Sequence, residues 1–521
     1  MAYARVLESV TLLAPALLMA VSALLSWLGK GSMAGPWRGF MALSFAALAM
    51  AAWALVQGGG GQSWHPALHA STLGLWMALL VQVLGTVIGS FSARYLEGEA
   101  GQGRYAAALA LVLSAVHLLL MADHWALLIG SWALVGMALQ HLLCFYPDRA
   151  FARLAAHKKR IADRLADVLL IGAAALAWRE VGSGSLSDLW AHIGREGVSP
   201  SLQACAVGLV LAVMLRTALL PVHGWLIQVM EAPTPVSALL HAGVVNLGGF
   251  VLIRFAPLLE QAMPARALLL LFGLSTAVLA GMVMLTRISI KVRLAWSTVA
   301  QMGFMLLECG LGLHAMAALH LFGHSIYKAH AFLSASSVVR ETRLQAMRGT
   351  STPVPASLVA APLLTISVIL LMQELSGLSS WPWWWSVMLG LAWAPVLWLP
   401  TAFADLVEGV RHLCAGLLMV SGLSGVTLLA HALPLGIHDV PHHVLGLIAL
   451  LGMLALYLCL ACLQYKPAVL KNWRRWSYAG FYVDEAYTRL ALQLWPGDWS
   501  QPSRQQHRQY AKASPLADAS P

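Results

Sequence analysis

His320, His324 and Lys328 recur at intervals of four in the stretch LHLFGHSIYKAHAF. On an α-helix that spacing stacks the three groups on one face over about 12 Å. Each can take up and release a proton, and proton transfer needs donor and acceptor within hydrogen-bond reach, directly or through one water. An ionisable group inside apolar sequence is expensive unless it faces a bundle interior or water, and so marks a functional site. A lone histidine there would be read first as a structural hydrogen-bonding group. Three titratable groups in register, one of them a lysine far from either end of its apolar run, read instead as a proton relay. His314 and His330 lie off this line and are expected to be structural or interfacial.

A second stretch combines charge with helix breakers: Met214 to Arg254, MLRTALLPVHGWLIQVMEAPTPVSALLHAGVVNLGGFVLIR. Arg216 sits in an otherwise apolar run, and Pro221 follows five residues later. A proline in a helix interior removes a backbone hydrogen bond and clashes one turn back, so a break or bend is predicted at Pro221. A further apolar helix is predicted from the Pro233-Thr234-Pro235 turn, with His241 and Asn246 at its middle. Broken helices at membrane depth are tolerated only where they line protein or a cavity.

The elements that must position these groups follow from composition. The chain has 521 residues, 59% hydrophobic and 10% charged, with a mean hydropathy of +0.73. This excludes a soluble globule with a charged surface and implies an all-α polytopic membrane protein. Helices are preferred to barrel strands because the apolar runs extend for about 20 residues without alternation. About fifteen spans are expected, near 6–29, 39–57, 67–93, 105–121, 124–146, 165–179, 203–228, 235–258, 265–286, 291–312, 316–338, 355–373, 382–402, 412–431 and 441–463. The first is too long for a signal-peptide core and lacks a convincing small-residue cleavage site. Most of the 32 Lys and Arg fall in loops after odd-numbered spans and in the C-terminal tail. The positive-inside rule then puts the N-terminus outside, the periplasmic side of a bacterial inner membrane, and the C-terminus in the cytoplasm. The net charge of +10 is on this view a topology signal, and no basic soluble face suggests nucleic acid.

The longest gaps between spans, Arg179 to Ser201 and Arg340 to Pro355, read as linkers, the first with a short amphipathic helix around Leu186 to Ile193. Gly58 to Gly61 is a bare glycine loop. After Leu463 basic and aromatic residues alternate, KPAVLKNWRRWSYAGFYVDEAY, as suits a segment lying on lipid headgroups or against a protein partner. Arg474, Arg475 and Trp476 are its candidate docking residues, and the polar tail from Trp495 is expected to be disordered. The six cysteines lie nearly all in apolar runs, and the Cys459/Cys462 pair lacks a partner pair, so all read as small buried hydrophobes. No phosphate-binding glycine loop, zinc cluster or nucleotide site is recognisable, so neither a metal nor a catalytic site is expected in this chain.

PTPVSALLHAG, RTALLPVHGWL, ISIKVRLAWSTVAQMGF and LHLFGHSIYKAHAFLSASSV together resemble the antiporter-like proton-translocating subunits of NADH-quinone oxidoreductase and the Mrp cation/proton antiporters. The resemblance covers roughly residues 65 to 340, and YVDEAY is similar to a segment near the C-terminal end of the largest such subunit. It implies an inverted-repeat core. It also makes Arg216 the counterpart of the lysine in the broken seventh helix and His241 the polar residue of the eighth. Lys291 matches the lysine opening a cytoplasmic motif, and His320, His324 and Lys328 form the central relay. The regions implied are N-terminal helices over 1–66, the translocating core over 67–340, further helices over 341–463 forming a degenerate second channel half, and a cytoplasmic segment with a tail over 464–521.

The departures matter as much. The fifth-helix glutamate that pairs with the seventh-helix lysine is here Ala133, so that charge pair is expected to be missing. Arginine hardly deprotonates, which makes Arg216 a fixed charge rather than a carrier. The twelfth span, Ser357 to Met372, holds no ionisable residue. Asp167, in the segment Asp163-Arg164-Leu165-Ala166-Asp167, is a candidate acidic partner.

These losses, with HAGVVNLGGFVLIRFAPLL, resemble the DabB-type membrane subunits of inorganic carbon accumulation complexes. That likeness implies an energy-coupling subunit in which cation flow, expected to be of protons, drives one-way hydration of carbon dioxide in a large peripheral cytoplasmic DabA-type partner that holds the zinc. Two alternatives are an ion-translocating subunit of a quinone oxidoreductase or Mrp-type antiporter complex, against which the missing glutamate counts, and a membrane anchor with a vestigial channel. A neighbouring gene for a large zinc-site protein would favour the first.

Overall fold

The computed structural model describes residues 2–29, 35–58, 63–65, 67–335, 352–378, 381–401, 406–466 and 468–496. Most of them are helical, as long apolar runs require: backbone in hydrocarbon has no water to bond and must satisfy its N–H and C=O groups within its own segment. In chain order the helices are α1 Ala2–Leu28, α2 Gly35–Val56, α3 Thr72–Tyr95, α4 Gln102–Met121, α5 Trp125–Leu143, α6 Ala150–Val181, α7 Leu186–Glu196, α8 Pro200–Arg216, α9 Gly224–Gln228, α10 Thr234–Ala242 and α11 Leu247–Arg254. They continue with α12 Ala256–Gln261, α13 Met263–Met284, α14 Ile290–Leu311, α15 His314–Leu333, α16 Pro355–Ser376, α17 Trp383–Trp393, α18 Leu406–His431, α19 His443–Tyr465, α20 Lys471–Tyr478 and α21 Val483–Leu494. A short antiparallel hairpin, β1 Ser63–His65 with β2 Leu68–His69, precedes α3.

Eleven helical spans among the described residues are long and apolar enough to cross a membrane, and the chain is a multi-pass membrane protein. The other expected spans are occupied by α6, α8, α15 and α17, which are too polar or too short to count by that measure. Part of the Arg340 to Pro355 linker, most of the glycine loop and the tail beyond residue 496 lie outside the described residues.

Three expected boundaries are corrected by local chemistry. The span placed at 165–179 belongs to a 32-residue helix, α6, whose first half is polar and escaped a search for apolar runs. The helix expected over 203–228 stops at Arg216, one turn before Pro221, which has no N–H for the Thr217 carbonyl; Thr217 caps the end with its N–H on Val213 O at 2.9 Å. The helix expected over 235–258 is itself interrupted: α10 ends at Ala242, a single turn Val244–Asn246 follows, and α11 resumes at Leu247. Asn246 Nδ2 donates to Ala242 O at 2.8 Å, satisfying one carbonyl that the interruption frees. The amphipathic helix expected near 186–193 is present as α7.

The main core joins α1 to α15, and a smaller core ties the ends of α13–α15 to α16–α19. Leucine, valine, isoleucine and tryptophan side chains stand exposed on the outer faces, where a lipid-bathed bundle can leave them. The tightest crossing is α13 on α14. A Cβ on Gly303 would lie 2.8 Å from Gly273 O and 2.7 Å from Ala277 N, so only glycine permits this backbone approach. Gly303→Leu is expected to destabilise the protein by about 1–3 kcal/mol or more through overpacking, seen as a lower unfolding temperature in detergent. An unchanged temperature would show that the crossing can relax.

Candidate ion-conducting site

α15 carries the three candidate residues His320, His324 and Lys328, and its start is fixed from another element. The Asp439 carboxylate, in the loop between α18 and α19, accepts the Ala315 N–H at 2.6 Å, placing negative charge at a helix N-terminus. Val440 N and His442 N donate to Gly312 O and Leu311 O at 2.8 and 2.9 Å, so this loop is zipped to the end of α14.

His320, His324 and Lys328 share the inner face of α15 but do not form a simple ladder. The His320 and His324 ring centroids are 6.1 Å apart. His320 Nδ1 lies 2.8 Å from Glu308 Oε2, a carboxylate that is 3% exposed. His324 donates through Nε2 to His241 O at 3.1 Å, a carbonyl at the interruption between α10 and α11. Lys328, fully buried, donates to Leu294 O at 3.1 Å and Ser297 Oγ at 2.8 Å. His241 lies on this side as well, its ring stacked on Phe332 at 4.5 Å and both its nitrogens buried without a protein partner. Asn246 Nδ2 also donates to Ser325 Oγ at 2.7 Å, tying α15 to the turn after α10. Lys291 stands at the start of α14 and donates to Thr234 Oγ1 at 2.8 Å, at the opening of α10 and apart from the histidine row.

Arg216 belongs to a different cluster. It pairs with Asp167 of α6, donates to Trp132 O at 2.9 Å and lies over the Trp132 ring at 4.7 Å. The carboxylate absent at Ala133 of α5 is thus supplied one helix later. Asp167 is the third member of a row on α6 with Lys159 and Asp163, spaced i, i+4, i+8, and Lys159 Nζ binds Asp163 Oδ2 at 2.5 Å. Among the described residues no hydrogen bond or ion pair joins this cluster to Lys328. Next to it, buried Lys158 reaches Asp484 at 2.5 Å and Thr488 at 2.8 Å, which clips α21 onto α6. Gln228, on α9 beyond the break that contains Pro221, also donates to Asp484 at 3.4 Å. Arg474, Arg475 and Trp476 on α20 remain exposed.

Sequence reasoning missed Glu308 and the Lys158–Asp484 clip. Glu308 is the only acid in α14, and the rule applied to Arg216 and Lys328, that an ionisable group in apolar sequence marks a site, applies to it as well. The clip joins residues 326 apart, for which no local signal exists.

Arg216→Met leaves the partly exposed Asp167 with only Arg164, at 3.8 Å. It is expected to cost about 1–3 kcal/mol, Arg216→Lys less, and Arg216→Met with Asp167→Asn to recover much of the loss. Thermal unfolding in detergent reads all three, and additive effects in the double variant would show that the two side chains do not act as a pair.

Comparison with known proteins identifies relatives of this chain. The family model for NADH:quinone oxidoreductase/Mrp antiporter transmembrane proteins matches residues 122–378. The chain is 38% identical over 439 residues to the probable inorganic carbon transporter subunit DabB of Hydrogenovibrio crunogenus, covering 82% of this chain and 83% of that one. It is 44% identical over 277 residues to the probable inorganic carbon transporter subunit DabB2 of Halothiobacillus neapolitanus, covering 53% and 50%. To NADH-ubiquinone oxidoreductase chain 5 of Metridium senile it is 31% identical, covering 52% and 45%. The alignment thus spans about half the length of the last two. Among solved structures, the Mrp complex from Dietzia sp. DQ12-45-1b superposes with a TM-score of 0.60 at 20% identity, over 96% of this chain and 62% of that one. A membrane-bound sulfane sulfur reductase, an archaeal respiratory membrane complex, gives 0.57 at 17% identity over 93% and 100%. These structures share its fold, and at the level of sequence the chain belongs to the DabB family of inorganic carbon transporter subunits, within the NADH:quinone oxidoreductase/Mrp antiporter family.

Proposed function

We propose that this chain is the energy-coupling subunit of an inorganic carbon accumulation complex. In this reading cations, specifically protons, move along the buried row of α15 and drive one-way hydration of carbon dioxide in a large peripheral DabA-type partner. The partner holds the zinc, and this chain supplies no catalytic site. The observation that carries the reading is the line Lys328, His324, His320 and Glu308, all but the partly exposed His320 buried, inside a chain 38% identical to a DabB subunit over most of its length. His241 and Lys291 flank that line, and Arg216 acts as a fixed charge held by Asp167. The distribution of basic residues supports a bacterial inner membrane orientation with the N-terminus periplasmic and the C-terminus cytoplasmic. A second reading, ion translocation in a quinone oxidoreductase or antiporter complex, draws on the 31% identity to chain 5. It is disfavoured because α16 carries no ionisable side chain between Ser357 and Met372.

Lys328→Ala, inserted normally and still bound to its partner, is expected to lose rescue of a carbon-uptake-deficient host at ambient carbon dioxide. Full rescue at normal expression would remove the row from the mechanism.

Partner docking is assigned to α20, where Arg474, Arg475 and Trp476 are exposed on the cytoplasmic side of this topology. Removing everything after Lys466 would also remove Asp484 from Lys158, so point changes are the cleaner test. Arg474→Glu with Arg475→Glu is expected to lower recovery of the partner in detergent at least tenfold while Asp484 stays in place. Recovery at wild-type stoichiometry would return α20 to a role on lipid headgroups.

A further inference from the structure

The C-terminal segment α20–α21 touches two parts of the interior at once. On α6, Lys158 is fully buried; its ammonium donates to Asp484 Oδ1 at 2.5 Å and to Thr488 Oγ1 at 2.8 Å, one turn apart on α21, and lies 5.5 Å from the Tyr487 ring centroid. Asp484 also accepts from Gln228 of α9 at 3.4 Å, and it passes so close to Gly224 that a Cβ there would collide with its carboxylate. Gly224 opens the helix that follows the break after α8. On the other side, the Arg287 guanidinium lies over the rings of Tyr478 on α20 and Trp296 on α14, 6.0 and 5.5 Å from their centroids. Trp296 packs in turn on His223, within the break, at 4.8 Å.

The joint between α20 and α21 is strained. Gly480, Phe481 and Tyr482 have φ of 64°, 55° and 56°, a left-handed run that is costly for the two aromatic residues. Such backbone persists only where the surroundings over-determine it, and it gathers at switch regions. Here the exposed docking residue Trp476 packs edge-on against Tyr482 at 5.9 Å, and Trp473 packs against Phe481 at 5.1 Å. Asp484 follows Tyr482 by two residues.

We propose that α20–α21 is a coupling strap: the peripheral partner seated on Arg474, Arg475 and Trp476 sets the position of Asp484, and Asp484 sets that of the break between α8 and α9. The inference rests on the docking reading above and says how a docked partner is felt inside the bundle. Asp484 is a positioning residue that acts through Lys158, Gln228 and the space over Gly224. Coupling of this kind is reciprocal, so a partner that binds more tightly to the ordered break must itself order the break.

The test follows amide hydrogen exchange over residues 217–228 in the full chain in detergent, with and without its DabA-type partner. Partner binding is expected to slow exchange there at least threefold in the wild type. Asp484→Asn leaves α20 intact and is expected to keep the partner but lose the slowing. Tyr482→Gly, at an exposed position outside the Lys158 pocket, frees the joint and is expected to lose most of it. Undiminished slowing in either variant, or a wild type that holds its partner with no change over 217–228, overturns the strap while the proposed function stands. Should Asp484→Asn fail to insert or to hold the partner, Tyr482→Gly decides by the same measurement. A wild type that binds no such partner overturns the docking reading and the strap together.

Discussion

Charge taken out of water must be met by charge or by oriented dipoles, and that constraint shapes the interior of this protein. An unpaired ion in low dielectric costs several kcal/mol even after relaxation. Arg216 meets Asp167 and the Trp132 carbonyl, Lys159 meets Asp163, Lys158 meets Asp484, and His320 meets Glu308. Lys328 is different. Its partners are a carbonyl and a hydroxyl, with no carboxylate in hydrogen-bond reach, so its ammonium is the least compensated of these buried charges.

The helix interruptions serve the same constraint. A continuous helix spends its carbonyls on its own N–H groups, whereas an interrupted one presents them to neighbours. The carbonyl of His241 goes to His324, and that of Ala242 to the Asn246 amide, which also reaches Ser325 of α15. Positions that look like defects in α10 and α11 are the points where α15 is held.

Much of this was legible in the sequence. The helical class, the amphipathic α7, the face shared by His320, His324 and Lys328, and the break between α8 and α9 follow from hydropathy, spacing and proline. The break was placed at Pro221, and α8 ends one turn before it, where the proline withholds an N–H from the Thr217 carbonyl and crowds it. The second interruption, after Ala242, carries only a glycine and an asparagine as signals, and glycines are common in membrane helices. Partners were harder to read than positions. Asp167 could be nominated for Arg216 because it stood in a recognisable motif, whereas Asp484 for Lys158 and Glu308 for His320 depend on tertiary packing that periodicity does not encode.

The Lys158–Asp484 clip bears on how the protein is made. Its two ends are 326 residues apart, and the acidic member lies on the last described helix. While the chain is being synthesised, Lys158 is available hundreds of residues before its carboxylate emerges from the ribosome. The early helices therefore enter the bilayer with this amine still free to stay at the watery interface. Its pairing with Asp484 waits for α21, so this corner of the bundle is completed last.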